Sequence, residues 1–342
     1  MVDEKCAVFI DVVPDPATKF YVIVLFGIIY SLMFLLGVIG NGLVILLTVR
    51  NASLQTVQNI FILNLAASDL IVCFVSLPVT PITNIFKNWY FGVALCHLLP
   101  WVQGVSVFIC TFSLSAIAVD RYVLIVHPHV KLLSKRGAMG VTVVLWVLSV
   151  LVTLPYTIFM DVITHEGLCG EFCTEMWPST QTRAAYTLFV MAAQFVLPFA
   201  IMAVCYWMIF ARLRVRARKR LQRMSERSVL LQSYASPQLS GPSSTSLNQT
   251  PSTRSRTRKG EGTDSPDRQR QQLVRQTRRT TIILFCMVLI FGLTWLPHNA
   301  LSVVMEFNET FFEIGETNLL YLVNLFTHRY VCISLGILCY LI

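Results

Sequence analysis

The chain has 342 residues, 55% of them hydrophobic and only 13% charged, with a mean hydropathy of +0.64. Ordinary soluble domains carry about 25% charged residues, so a water-soluble globular fold is excluded. The net charge is +9, but 17 of the 27 basic residues, against 4 of the 18 acids, fall between 211 and 279 among Ser, Thr, Pro and Gln; that is a solvated loop, not a folded nucleic-acid-binding surface.

Residues 1–19 are polar, with Asp3, Glu4, Asp11 and Asp15, and lack the basic start and apolar centre of a cleavable signal peptide. Seven apolar runs follow, at about 20–49, 57–80, 96–127, 138–160, 184–211, 280–304 and 318–342. Each is long enough to cross a hydrocarbon core of about 30 Å. The expected fold is all-α: a seven-helix membrane bundle.

The connecting segments set its orientation. With residues 1–19 outside, the inner side holds 22 basic residues: Arg50, Arg121, Lys131, Lys135, Arg136 and the 17 of the long loop 212–279. The outer side then holds Lys5, Lys19, Lys87 and Arg183 with twelve acids, so the positive-inside rule puts the N-terminus outside.

Helix 1 carries Gly37 and Gly40, which permit close packing, and Asn41, expected to hydrogen-bond across to another helix. Helix 2 places Asp69 mid-membrane, where an ionised Asp costs about 2.5–3.5 kcal/mol and must face a polar interior. Pro78 and Pro81 are expected to kink its outer end. Helix 3 is bounded by Cys96 and Asp120-Arg121-Tyr122, and the 25 steps from Cys96 to Arg121 span about 37 Å. The cysteine therefore lies at one membrane face and the acid-arginine pair at the other.

Cys6, Cys96, Cys169 and Cys173 are exterior, with three complete pairings open to them. Helix 5 carries Pro198 and Tyr206; helix 6 carries Trp295, Pro297 and His298, a proline bend with an aromatic two residues earlier. The loop 212–279 begins with a basic stretch able to extend helix 5. Its Ser/Thr/Pro/Gly-rich middle reads as disordered, and its basic ends suit anionic inner-leaflet lipid. Of three glycosylation sequons only Asn308 faces outward.

These motifs together resemble the rhodopsin-like G-protein-coupled receptors. The likeness rests on Gly40-Asn41 with Val44, Asn64-Leu-Ala-Ala-Ser-Asp69, Cys96 with Asp120-Arg121-Tyr122, Trp146, Pro198 with Tyr206, and Phe291-Gly-Leu-Thr-Trp295-Leu-Pro297. The stretches QNIFILNLAASDL, LPVTPITNIFKNWYFG, CTEMWPS and FGLTWLPHN are similar to the neuropeptide Y / neuropeptide F receptor group, of invertebrate type. That resemblance implies a multi-pass plasma-membrane receptor of neurons, for short amidated peptides ending in Arg-Phe-amide or Arg-Tyr-amide, coupled mainly to inhibitory heterotrimeric G proteins.

Carried over residue by residue, the resemblance implies a Cys96–Cys173 bridge, with Cys169 left free or paired with Cys6. It puts Gln103 against the peptide's amidated end and Glu306, nine residues past Pro297, against its arginine, as an arginine fork requires a carboxylate. Thr80, His298 and His328 would line the same cavity. Taken alone, Glu306 also reads as a solvated acid and Gln103 as a packing residue. At the inner face Arg121, held by Asp120 at rest, would turn toward Tyr206 and the G protein. No acid restrains it from the base of helix 6, where Thr277 precedes Arg278 and Arg279.

Helix 7 fits the group only to His328. Where the group shows Asn-Pro-x-x-Tyr, this chain has Leu338, Cys339, Tyr340, Leu341 and Ile342, and Arg329 falls within the membrane segment. That loss, with Cys110 in place of a hydroxyl, argues against a sodium site at Asp69; no other metal or cofactor is implied. The alternative reading is a truncated isoform that does not signal, a decoy, or a dimer partner of a full-length receptor. A transporter or channel would show paired repeats and several midplane charges, and an enzyme a metal or nucleophile-base cluster; neither pattern is present in the sequence.

Overall fold

A computed structural model describes residues 6–8, 19–130, 132–165, 167–235 and 266–307. Among them, six helices are long and apolar enough to cross a membrane. These are α1 (Phe20–Arg50), α2 (Val57–Phe86), α3 (Gly92–Val126), α4 (Lys135–Ile158), α5 (Thr180–Met191 continuing as Leu197–Ala235) and α6 (Pro266–Phe307). The expected helix 7 at 318–342, with His328, Cys332 and Cys339, lies outside the described residues, as does Asn308.

α3 is the central post. In its most apolar stretch 67% of residues are buried, against 17% in α1 and α4. Val107, Cys110, Leu114, Ile117 and Ala118 of α3 form one core with Phe61, Leu65 and Ala66 of α2, Met202, Tyr206 and Ile209 of α5, and Leu284, Val288 and Phe291 of α6. α1 turns Leu25, Ile28, Leu32, Leu36 and Ile39 outward, as a lipid-facing helix should.

Buried polar groups join the helices within this core. The Asn64 amide donates to Ser113 Oγ at 2.8 Å while its Oδ1 accepts from Trp146 Nε1 at 2.6 Å, so one side chain joins α2, α3 and α4. One turn further out, Ser68 Oγ donates to the Ser106 carbonyl and Ser106 Oγ to the Ser68 carbonyl. In a medium without water each such group must find a protein partner. Gly292 serves a packing need: a Cβ there would lie 2.6 Å from the Phe199 ring, whose stack on Phe291 brings α5 and α6 together.

Three expectations about the helices change, and α5 adds a feature that periodicity does not show. α2 runs through Pro78 and Pro81 to Phe86 instead of ending near 80. Thr80 Oγ1 donates back to the Ser76 carbonyl at 2.8 Å and Thr83 Oγ1 to the Val79 and Thr80 carbonyls of the same helix. Asn41 does not reach another described helix; its Nδ2 donates to its own Gly37 carbonyl, 3.1 Å away.

α5 contains a π-helical turn, Ala192–Val196, immediately before Pro198. Proline has no N–H and crowds the carbonyl four residues back, and widening the turn relieves both constraints. Finally, α5 continues to Ala235, as its basic stretch suggested, while α6 begins at Pro266 instead of near 280. Arg, Gln, Leu and Met there are strong helix formers, and hydropathy gives no signal for a helix that leaves the membrane. Residues 236–265 lie outside the described residues.

The outer end is built differently. β1 (Ala7–Val8) pairs in parallel with β3 (Leu168–Cys169), and β2 (Met160–Ile163) pairs antiparallel with β4 (Phe172–Glu175). Disulfides join Cys6 to Cys169 and Cys96 to Cys173. The first outer loop holds the second: the Trp89 N–H donates to the Glu171 carbonyl, and the Glu171 N–H to Asn88 Oδ1.

Candidate functional site

A cavity of about 680 Å³ opens between α3, α4, α5, α6 and the β2–β4 hairpin. The elements that shape it follow from the chain's constraints. The Cys96–Cys173 bond fixes β4 against the outer end of α3, so Cys173, Thr174 and Glu175 form one wall. The π turn ahead of Pro198 sets Gln194 and Phe195 into the opposite wall. Trp295 lies deep and Glu306 near the mouth, eleven residues apart, so the cavity is roughly 16 Å deep along α6. Phe291 and Trp295, with ring centroids 6.0 Å apart, close the bottom with Val107 and Thr111.

Gln103 and Glu306 both line this cavity. Gln103 is half-buried on α3, about two turns below Cys96. Glu306 has a side chain only 9% exposed, and it is already engaged: Arg183 Nε donates to both of its oxygens, each at 3.1 Å. Among the described residues the mouth thus carries two acids, Glu306 and Glu175, and one base, Arg183. Glu175 Oε2 accepts a hydrogen bond from Trp177 Nε1 at 2.6 Å, a neutral donor.

The other expected site residues distribute unevenly. Thr80 is half-buried on α2, its hydroxyl turned to its own helix, and does not line the cavity. His298 belongs to α6, but its side chain is outside the described part of the structure, as is all of His328. Pro297 lies within α6, two residues past Trp295. Arg183 and Gln194 are among the lining residues missed from sequence. Arg183 stands in the first turn of α5, a turn with no acid; that misplacement of a cation at a helix N-terminus was the available signal. Gln194 gave none, because a π turn is invisible to periodicity.

At the inner end, Arg121 pairs with its neighbour Asp120 at 3.2 Å, and both side chains are largely covered, at 14% and 16% exposure. The Arg121 Nε finds no partner among the described residues. Tyr122 sits beside His127, hydroxyl to Nε2 at 3.4 Å. Tyr206 is 2% exposed and packs edge-on to Phe285 at 5.3 Å, its hydroxyl without a partner among the described residues. Asp69 is buried in the middle of α2, 4% exposed, beside the Ser68–Ser106 pair. Arg216 of α5 reaches across to donate to the Ile125 carbonyl at 2.8 Å, placing a cation at the carbonyl end of α3, where a helix favours one.

The family pattern described as 7 transmembrane receptor (rhodopsin family) matches residues 40–335. The neuropeptide receptor npr-1 of Caenorhabditis elegans is 48% identical over 332 residues, which cover 94% of this chain and 70% of that protein. Neuropeptide Y receptor type 2 of Homo sapiens is 29% identical over 92% of this chain and 73% of its own length. The neuropeptide F receptor of Drosophila melanogaster is 28% identical over 79% of this chain, which spans half of that receptor's length.

Proposed function

The chain belongs to the rhodopsin family of seven-transmembrane receptors, in its neuropeptide Y / neuropeptide F branch, and from that premise we propose that it is a receptor for a short amidated peptide. The peptide ends in Arg-Phe-amide or Arg-Tyr-amide, and the receptor signals through an inhibitory heterotrimeric G protein at the plasma membrane.

The observation that carries this reading is the shared cavity of Gln103 and Glu306. A carboxamide at a peptide's end both donates and accepts, and the side-chain amides of Gln103 and Gln194 offer the matching pair of functions. An arginine one residue earlier requires an acid nearer the mouth, and Glu306 stands there, largely removed from water, where a charge-assisted bond is strongest. The apolar rings of Phe291 and Trp295 suit the aromatic final side chain. A ligand seated on Trp295 touches α6 two residues before Pro297, the point where the helix lacks a backbone bond and bends most easily. That motion separates the inner ends of α5 and α6 and exposes Arg121 to the G protein.

The test is binding of a labelled synthetic peptide ending in Arg-Phe-amide to cells expressing the intact chain. Glu306→Ala is expected to weaken binding about 10- to 100-fold, the worth of one hydrogen bond to a charged group. Equal binding by both proteins removes the assigned role of Glu306. Nucleotide exchange on an inhibitory-class Gα subunit, measured on the same membranes, tests the coupling.

A further inference from the structure

Arg183 is a base where local electrostatics disfavours one. It stands four residues after the Ser179 cap of α5, at the positive end of a helix whose first turn holds no acid. It nevertheless points into the cavity mouth and covers the carboxylate of Glu306, on a different helix and 123 residues away in the chain. The contact is made through Nε alone, shared between the two carboxylate oxygens at 3.1 Å each. Its terminal NH₂ groups make no hydrogen bond among the described residues, and its side chain is 39% exposed against 9% for Glu306. The acid is therefore fixed and covered, while the base over it is free to leave.

We propose that Arg183 is a specificity-determining residue of this cavity: a resident cation that a ligand must displace from Glu306, and that only a guanidinium displaces well. The inference rests on the reading of Glu306 as the peptide's arginine site. A tethered competitor acts at high effective concentration, so a weakly bound ligand cation is shut out. A lysine ammonium brings one compact, strongly hydrated charge and gains no geometry over the incumbent. A ligand arginine can lay two N–H groups along both carboxylate oxygens, the paired fork that Arg183, bound through one nitrogen, does not form. The exchange leaves the charge on Glu306 balanced throughout. It also frees Arg183 to take a carbonyl or carboxylate oxygen on the ligand, upstream of its arginine.

The experiment uses the intact receptor on cells with two synthetic amidated peptides, one ending in Arg-Phe-amide and one with lysine in place of that arginine. Arg183→Gln is expected to tighten the arginine peptide about three- to tenfold and the lysine peptide more, so that the arginine-to-lysine preference shrinks. Arg183→Met keeps the aliphatic stem and serves if the glutamine variant fails to reach the surface. In a Glu306→Gln background the same substitution is expected to leave the preference unchanged. A preference unaltered by Arg183→Gln in the otherwise native receptor, or weaker binding of both peptides, overturns the proposal, because a purely structural ion pair would shift both peptides together. Failure of the underlying reading looks different: Glu306→Gln alone would then leave arginine-peptide binding intact.

Discussion

The two ends of this bundle solve the same problem with different chemistry. At the outer end, short strands are held by two disulfides and by hydrogen bonds between loops, and an ion pair joins α5 to α6. At the inner end the described contacts between helices are noncovalent: Tyr206 packed against Phe285, and Arg216 on the last carbonyls of α3. The outer end must keep a cavity open, which means holding walls apart against the apolar surface that would close them. The inner end must change shape, and contacts made by ring packing and single hydrogen bonds cost little to separate. Rigidity is thus covalent at the end that holds the cavity and withheld at the end that holds Arg121.

That contrast can be broken at three depths. The largest effect is expected from replacing Cys96 and Cys173 together with serine. A bridge closing 77 residues contributes about 2–4 kcal/mol, less than in a soluble chain because the membrane already confines both ends. Because β4 forms a cavity wall, peptide binding at the cell surface should fall more than tenfold; retention within twofold would mean the outer wall holds without its bond. At mid-depth, Asn64→Leu removes both hydrogen bonds of the α2–α3–α4 junction and leaves the N–H of the half-buried Trp146 unpaired. A loss of about 1–3 kcal/mol is expected, read as a lower melting temperature of purified receptor in detergent. The smallest effect belongs to Arg216→Gln at the inner end, about 0.5–1.5 kcal/mol. There it should appear less as instability than as faster unliganded nucleotide exchange on the G protein, with peptide affinity changed under threefold. A variant that melts earlier without raising exchange would make this contact structural only.

Much of this was readable from residue types, and the exceptions have physical causes. The membrane helices announce themselves because a 20-residue apolar run has few other uses. Their ends do not: Pro78 and Pro81 look like terminators, yet α2 runs through both to Phe86, with Thr80 and Thr83 bonded back to carbonyls of their own helix. Thr80, expected in the cavity, is turned to its own helix by that arrangement. Past the inner membrane face, α5 and α6 continue as polar helices, where hydropathy falls silent and only propensity speaks. Gln103 and Glu306 were assigned from resemblance, and the structure lines one cavity with both. Arg183 entered the sequence reading only as one of four exterior positive charges. Its partner lies 123 residues away, and no local pattern reports a contact at that distance.

The length of α5 gives the molecule a mechanical property. From the π turn at Ala192–Val196 to Ala235 the helix runs 39 residues, about 58 Å of nearly incompressible rod. The wide turn lines the cavity with Gln194 and Phe195 and interrupts the regular α-helical bonding of that rod. A change of about 5° in direction there, within the play of one loosened turn, sweeps the far tip through about 5 Å. The helix is a lever with its fulcrum at the cavity, and a displacement too small to disturb the cavity walls becomes, at the cytoplasmic tip, as large as the width of a side chain.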